Sequence, residues 1–207
     1  MTLLLYLSLT NALLSQQVAD SQAPWEVLVL GRASIAVPRG WRNLDGLRPN
    51  TLVFRQGDGS VIPPLDDTGQ PLQAGLVVEQ RRDSGSLREI ARELVSGVQR
   101  DPRLRPLYTP SIDPVRLSDS TDAVLVTAVF VKDDQRQSLQ FKLVARSSDA
   151  QTWVVSGFLV GGKGSRWCRA ESDLGDWVRA HVLSLTFNAS RSQSSDLREA
   201  YRRIAEQ

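Results

Sequence analysis

Alternating apolar and polar positions predict β-strands in the first part of the chain. Residues 27–30 and 33–37 are two short β-rich runs on either side of Gly31 and Arg32, which predicts a hairpin. Two further strands are predicted at 51–55, which runs into a glycine turn, and at 76–80.

A Pro-rich stretch at 58–73 separates these last two strands. Pro63, Pro64 and Pro71 lack the amide hydrogen that a sheet ladder requires. The sequence therefore predicts an exposed insertion here and not a strand.

The first hairpin ends in a corner with the sequence VPRGW, residues 37–41. Pro38 and Gly40 favour a tight turn, which leaves the large ring of Trp41 at the turn. The ring could serve a ligand or the core, and we expect it to pack over one end of the core.

Residues 84–102 carry the clearest helical pattern. Ser86 and Glu89 have the spacing of a capping box, and Pro102 prevents the helix from continuing. The helix must bury its apolar stripe, so we expect it to lie on a sheet. Six apolar residues recur at helical spacing along that stripe: Leu87, Ile90, Ala91, Leu94, Val95 and Val98.

Three consecutive runs, at 122–132, 138–146 and 151–160, predict an antiparallel meander at the centre of the sheet. A second long helix is predicted from Trp167, with a stripe that also contains Leu174, Val178, His181 and Leu185. These patterns predict one domain at 24–188, followed at 189–207 by a linker and a short amphipathic helix.

The first 23 residues predict either a signal peptide or an N-terminal apolar helix. The apolar run at 3–14 is too short to span a bilayer as a helix but fits the core of an export signal. We therefore expect an extracytoplasmic protein (periplasmic, lumenal or secreted) with no transmembrane span in its mature form. A mis-chosen start codon or an uncleaved helix is the alternative, and it would leave the protein cytoplasmic.

The composition argues against several classes of partner and site. The 207 residues carry a formal net charge of only +2, which argues against nucleic acid as a partner. Cys168 and His181 are the only cysteine and the only histidine. We therefore predict no disulfide, metal site, cofactor site or catalytic residue.

Four local motifs have functional and structural interpretations. His181 could act as a general base and Cys168 as a reactive thiol, but we expect both to be core residues. The sequence GGKGS at 161–165 resembles an anion-binding loop but lacks the P-loop spacing, which favours a flexible connection. The acidic runs at 117–122 and 132–135 lack the glycine and spacing of a calcium loop, which favours solvated turns.

The segment from Arg81 to Arg105 offers the best candidate for a binding surface, since its arginines outnumber its acids. A solvated helix face is the structural alternative. The predicted surface would contact an acidic protein or anionic lipid through six residues: Arg81, Arg82, Arg88, Arg92, Arg103 and Arg105.

The order of these elements resembles the PsbP-like superfamily, which includes the photosystem extrinsic P proteins, the Mog family of Ran-binding proteins and bacterial DcrB-type domains. The resemblance covers about 27–187. It rests on VPRGW at 37–41, LVFRQGDG at 52–59, the helix sequence at 86–95, the meander, and the last helix leading into LSLTF at 183–187.

The resemblance implies an α+β fold, namely an α/β/α sandwich in which two main helices cover a central antiparallel sheet. It also implies a domain that binds partners and does not catalyse a reaction. We therefore predict a non-enzymatic, exported accessory domain that contacts a protein or membrane-associated complex through a sheet edge or the arginine-bearing helix side. A cytoplasmic chaperone-like protein of the same fold is the alternative, and a hydrolase that uses His181 is a third hypothesis.

Overall fold

The computed structural model describes residues 23–44, 50–57, 61–188 and 194–206, so most of the predicted signal segment and linker lie outside the described residues. The helices are α1 Leu87–Gln99, α2 Asp173–Leu183 and α3 Ser194–Ala205. The strands are β1 Trp25–Leu30, β2 Ala33–Pro38, β3 Arg42–Asn43, β4 Thr51–Arg55, β5 Gln73–Arg81, β6 Leu104–Pro106, β7 Ser111–Arg116, β8 Asp122–Lys132, β9 Arg136–Arg146 and β10 Thr152–Gly162.

One large antiparallel sheet organises the molecule. Its strand order is β3-β4-β5-β10-β9-β8, and the short strands β6 and β7 both pair with the outer edge of β8. The predicted meander is confirmed as β8, β9 and β10, each eleven residues long. Strands β1 and β2 form the separate hairpin that the sequence predicts.

The two faces of the large sheet are covered differently. Helix α2 and the β1–β2 hairpin cover one face, where they enclose the main hydrophobic core, and α3 packs on α2 from outside. Helix α1 lies on the other face, against β8, β9 and the edge strands. The predicted α+β sandwich is therefore confirmed.

Helix α1 begins as the sequence predicts. The Ser86 Oγ accepts the Glu89 amide hydrogen at 3.2 Å, and the Glu89 carboxylate accepts the Ser86 amide hydrogen at 2.8 Å. This reciprocal capping satisfies amide groups that a helix start otherwise leaves without acceptors.

The second predicted helix is shorter than the pattern indicates. Trp167 lies on a separate 3₁₀ turn, Arg166–Cys168, and α2 begins only at Asp173. The Ser172 Oγ accepts the amide hydrogen of Gly175 at 2.9 Å and so caps the helix start. Gly175 is required there, because a Cβ would lie 2.6 Å from the Arg169 carbonyl oxygen of the preceding turn.

The prediction that 58–73 is an exposed insertion holds only in part for the described residues, 61–73, because most of them are exposed but Ile62, Asp66 and Leu72 are buried. Ile62 and Leu72 are each only 3% exposed and belong to the main core. The buried Asp66 carboxylate accepts amide hydrogens from Thr68, Gln70 and the distant Gly162. One carboxylate thus accepts hydrogen bonds from three backbone amides. The proline-rich loop itself cannot form the hydrogen-bond ladder of a strand.

This loop also explains the GGKGS motif. A Cβ at Gly161 would collide with the Asp66 carboxylate, and a Cβ at Gly162 would collide with Thr68. Asp67 accepts the Arg166 amide hydrogen at 3.1 Å and the Ser165 hydroxyl hydrogen at 2.8 Å. The motif therefore receives the 61–72 loop, with the Gly162 amide bound to the Asp66 carboxylate and the Gly164 amide bound to the Gln137 side-chain oxygen.

The corner at Trp41 has the structural role that the sequence predicts. The indole is 7% exposed, and its ring centroid lies 5.7 Å from that of Trp177 on α2. Its Nε1 has no acceptor among the described residues. Packing against the end of the core, and not hydrogen bonding, therefore holds this ring in place.

Candidate interaction surface

The six predicted binding arginines do not form one patch. Arg81 and Arg82 lie where β5 ends, before α1, whereas Arg103 and Arg105 lie beyond its other end. Helix α1 has 13 residues and so separates these two pairs by about 20 Å. Only Arg88 and Arg92, one turn apart on exposed positions of α1, are brought together by the helix.

Three of the six are also neutralised by carboxylates. Arg81 lies 3.0 Å from Asp83 and 3.9 Å from Glu79. Arg103 and Arg105 each lie 2.9 Å from a carboxylate, those of Asp101 and Asp134. Asp83 and Asp101 stand two residues from their arginines in the sequence, which is the signal that could have predicted this pairing.

A different surface lies on the sheet beside α1, and sequence reasoning missed it. Helix α1 packs over β8, β9 and Val154 at the start of β10, but it leaves the same face of β4, β5 and the rest of β10 without a covering helix among the described elements. We call this surface the open face; it consists of Val53, Val77, Ser156, Phe158 and Val160.

The open face is apolar without being part of the core. Its valines and Phe158 are half-buried, and none of them joins the hydrophobic clusters formed by the described residues. The Phe158 ring lies over Gly75 on the neighbouring strand, where a Cβ would collide with it. The ring thus lies flat on the sheet and shields the backbone of β5.

Strand register places Lys142 at the border between the open face and α1. Lys142 is opposite Val126 on β8 and Ser156 on β10, and Ser156 is in turn opposite Val77 on β5. Burial lowers the pKa of Lys142, although the nearby Glu79 carboxylate opposes this effect. Lys142 therefore lies at the border of the apolar open face that is nearest to α1.

His181 is a core residue, as predicted, and cannot serve as an accessible base. Its Nδ1 lies 3.0 Å from the Ala36 carbonyl oxygen, which can only accept, so Nδ1 carries the hydrogen. Its Nε2 accepts from the Tyr201 hydroxyl at 3.1 Å. The ring is fully buried, and burial lowers its pKa to about 4. The histidine therefore joins α2, α3 and β2 as a neutral side chain.

The pH dependence of stability should report this burial. Between pH 6.5 and 4 the unfolded chain binds a proton at His181 that the folded chain does not, so the free energy of unfolding falls as the pH falls. We expect a loss of about 2 kcal/mol between pH 7.5 and 5 in urea denaturation. Because His181 is the only histidine, His181→Asn should remove most of this difference. Equal stability of the native sequence at both pH values would contradict the prediction.

Cys168 is likewise a core residue. Its side chain is fully buried, and burial raises the pKa of its thiol to about 11. The thiolate, which is the nucleophilic form, is therefore scarce at neutral pH.

Two acidic motifs also have structural roles in the described residues. Asp119, in the first acidic run, accepts the amide hydrogens of Thr121 at 2.9 Å and Phe187 at 2.6 Å. Asp134, in the second, pairs with Arg105. No group of three or more metal-ligating side chains occurs among the described residues, and no helix there is long and apolar enough to cross a bilayer.

No family model and no curated protein matches the chain. LpqN and a cyanobacterial PsbP are two of the solved structures that are similar to it. One is LpqN of Mycobacterium tuberculosis, described as involved in cell envelope biogenesis, with 14% identity and a TM-score of 0.42 over 69% of this chain and 75% of LpqN.

The other is the cyanobacterial PsbP (CyanoP) of Synechocystis, with 11% identity and a TM-score of 0.49 over 79% of this chain and 92% of that protein. Neither similarity assigns a function to this chain. A PsbP is nevertheless among the similar solved structures.

Proposed function

We propose that this chain is a non-enzymatic binding or accessory domain that works outside the cytoplasm and contacts a protein or membrane-associated complex through the open face. The observation that carries the proposal is the apolar sheet surface beside α1, formed by Val53, Val77, Phe158 and Val160 outside the core. Contiguous apolar patches rimmed by polar residues are typical of interaction sites.

The residues of the open face and those around it are arranged as in a protein interface. Its centre is apolar, while Arg55, Glu79 and Lys142 occupy neighbouring positions on the same face. Protein interfaces commonly combine an apolar centre with a polar rim. Arg88 and Arg92 on α1 would contribute to association as exposed charges, whereas Arg103 and Arg105 are paired at the far end of the helix.

A sheet edge, the other contact predicted from the sequence, is less suited to this role. The outer strand β7 contains Pro114, which has no amide hydrogen to offer an added strand. The proposal therefore places the contact on the open face and not on this edge.

Export is the location we propose, with 1–23 as the signal segment. Ala23, the last residue of this segment, and Trp25 are buried against Ala36 and Leu197 of the folded domain, which favours cleavage before Ala23. N-terminal sequencing of the protein from its native cells should give a start near residues 20–25. An intact N-terminus on the functional protein would instead support the cytoplasmic, chaperone-like alternative.

Site-specific photo-crosslinking in intact cells tests the contact. A photoreactive phenylalanine analogue at position 158 should form an adduct with a partner, because this ring lies on the open face. The same analogue at Leu65, an exposed apolar residue outside the open face, is the matched control. Adducts at 65 but not at 158 would contradict the proposed contact.

A further inference from the structure

We propose that Lys142 binds a carboxylate of the partner, so that the open face accepts an extended acidic segment with one Glu or Asp followed by apolar side chains at alternate positions. This inference rests on the proposed function and specifies the chemistry of its partner.

The first step is the position of the Lys142 side chain. It lines a narrow crevice together with Gln140 of β9 and three apolar residues from the second half of α1, Leu94, Val95 and Val98. The crevice has room for about one water molecule, with a volume near 10 Å³. Lys142 therefore lies beside α1, and its charge interacts with those of Glu79 and Arg81 on β5, on the other side of the open-face strand β10.

The second step is the lack of a close counter-ion. Within the described residues, the Lys142 ammonium has neither a hydrogen bond nor an ion pair closer than 4.0 Å. The Glu79 carboxylate interacts with the Lys142 charge at longer range, and the same carboxylate lies 3.9 Å from Arg81. A partly buried ammonium without a hydrogen-bonded counter-ion is costly, and a carboxylate supplied by a partner would offset that cost.

The third step is the spacing across the sheet. Lys142, Ser156, Val77 and Val53 occupy adjacent positions on β9, β10, β5 and β4. Strands lie about 4.8 Å apart, so Val77 is about 10 Å and Val53 about 14 Å from Lys142. Alternate residues of an extended chain are about 7 Å apart, so a carboxylate at Lys142 places the fourth following residue, about 14 Å away, over Val53, and the second, about 7 Å away, between Ser156 and Val77.

Charge also favours an acidic occupant over a second copy of this chain. A face-to-face dimer would bring two Lys142 ammonium groups and two Arg55 side chains onto the shared surface against only two Glu79 carboxylates, which leaves an excess of positive charge. Like charges brought together in an interface oppose association.

A designed peptide pair provides the test. The probe is acetyl-Ser-Glu-Ser-Leu-Ser-Leu-Ser-amide with a fluorophore, and its counterpart carries Gln in place of Glu. We expect the Glu peptide to bind the full chain at least about tenfold more tightly than the Gln peptide in fluorescence polarisation. Lys142→Met should abolish this preference, whereas Lys142→Arg and the control Lys132→Met should retain it.

Chemical acetylation gives a second measurement on the native sequence. The chain has three lysines, Lys132, Lys142 and Lys163, so mass spectrometry can follow each one separately. The Glu peptide should slow the acetylation of Lys142 severalfold while Lys132 and Lys163, both exposed, keep their rates. Unchanged acetylation of Lys142 at a saturating peptide concentration would overturn the inference.

The variants separate this inference from the proposed function. Phe158→Ser should weaken both peptides alike, because it removes apolar surface without changing charge. If Phe158→Ser weakens binding but Lys142→Met keeps the preference for Glu, the carboxylate anchor is wrong and the open face stands. If neither peptide binds, or if the chain forms a dimer that Phe158→Ser dissociates, the acidic segment is not the occupant.

Discussion

A chain that lacks residues 61–72, closed by a short Gly-Ser link, is expected to lose its cooperative fold. The deletion removes Ile62 and Leu72 from the main core and the Asp66 carboxylate from the end of β10. Each buried aliphatic side chain contributes about 2 to 4 kcal/mol, and a buried charged hydrogen-bond acceptor contributes about 2 kcal/mol more. The sum, above about 5 kcal/mol, is comparable to the whole stability of a typical domain.

Circular dichroism melting and the yield of soluble protein measure this effect. Leu65→Ser is the matched control, because Leu65 belongs to the same loop but is 52% exposed, and it should melt close to the native sequence. Asp66→Asn should give an intermediate loss by weakening the bonds to Thr68, Gln70 and Gly162. A deletion variant that melts cooperatively at the native temperature would show that the loop adds nothing to the core.

Trp41→Ala is expected to lower the free energy of unfolding by about 3 to 5 kcal/mol. The substitution leaves a large cavity beside Trp177, and large-to-small changes of buried aromatic residues typically cost this much. It would also remove the contact between the two rings.

Trp41→Phe distinguishes packing from hydrogen bonding at this corner. Because the Trp41 Nε1 has no acceptor among the described residues, Phe loses only part of the packing and should cost less than half as much as Ala. Urea denaturation of the three proteins measures the difference. Equal losses in Phe and Ala would mean that the indole nitrogen, and not the ring's packing, stabilises the corner.

The elements that the sequence predicts correctly have local signals. The hairpin at Gly31, the capping box at Ser86 and Glu89, and the alternation in β8 to β10 each depend on residues a few positions apart. Strands β6 and β7 are missed because Pro106 and Pro114 weaken their strand patterns. Pairing with β8 nevertheless forms them, which is a tertiary effect.

The 61–72 loop could not be predicted because its decisive contact is distant in sequence. Asp66 meets the amide of Gly162 across 96 positions. Proline-rich segments are expected at the surface because they cannot form a strand ladder. Here the buried Asp66 carboxylate accepts backbone amide hydrogens and so holds the loop against the domain. Gly161 and Gly162 of GGKGS are needed to make room for this loop and not for an anion, whereas Gly164 has open space where a Cβ would lie and a φ of +85°.

The candidate surface was missed for a different reason. The apolar residues of β10 point to both faces and predict burial on both, but α1 covers β8, β9 and the start of β10 at Val154 and leaves the rest of β10 uncovered. How far a helix reaches across a sheet depends on its packing angle, which the stripe from Leu87 to Val98 does not encode by itself. Conversely, the acids two residues from Arg81 and Arg103 were available in the sequence and indicated that the arginine surface was partly neutralised.

The way the first hairpin is held has a consequence for biosynthesis. Ser34 of β2 pairs with Thr186, the Ala36 amide donates to the Ser184 Oγ at 2.9 Å, and the Ala36 carbonyl oxygen accepts from His181. The hairpin emerges from the ribosome first, yet it meets these partners 148 positions later along the chain at Ser184. At about 5 to 20 residues per second, translation leaves this apolar hairpin without its cover for roughly 7 to 30 s. We expect the nascent chain to remain unfolded throughout that interval, which is the state that a translocon or a holdase chaperone engages.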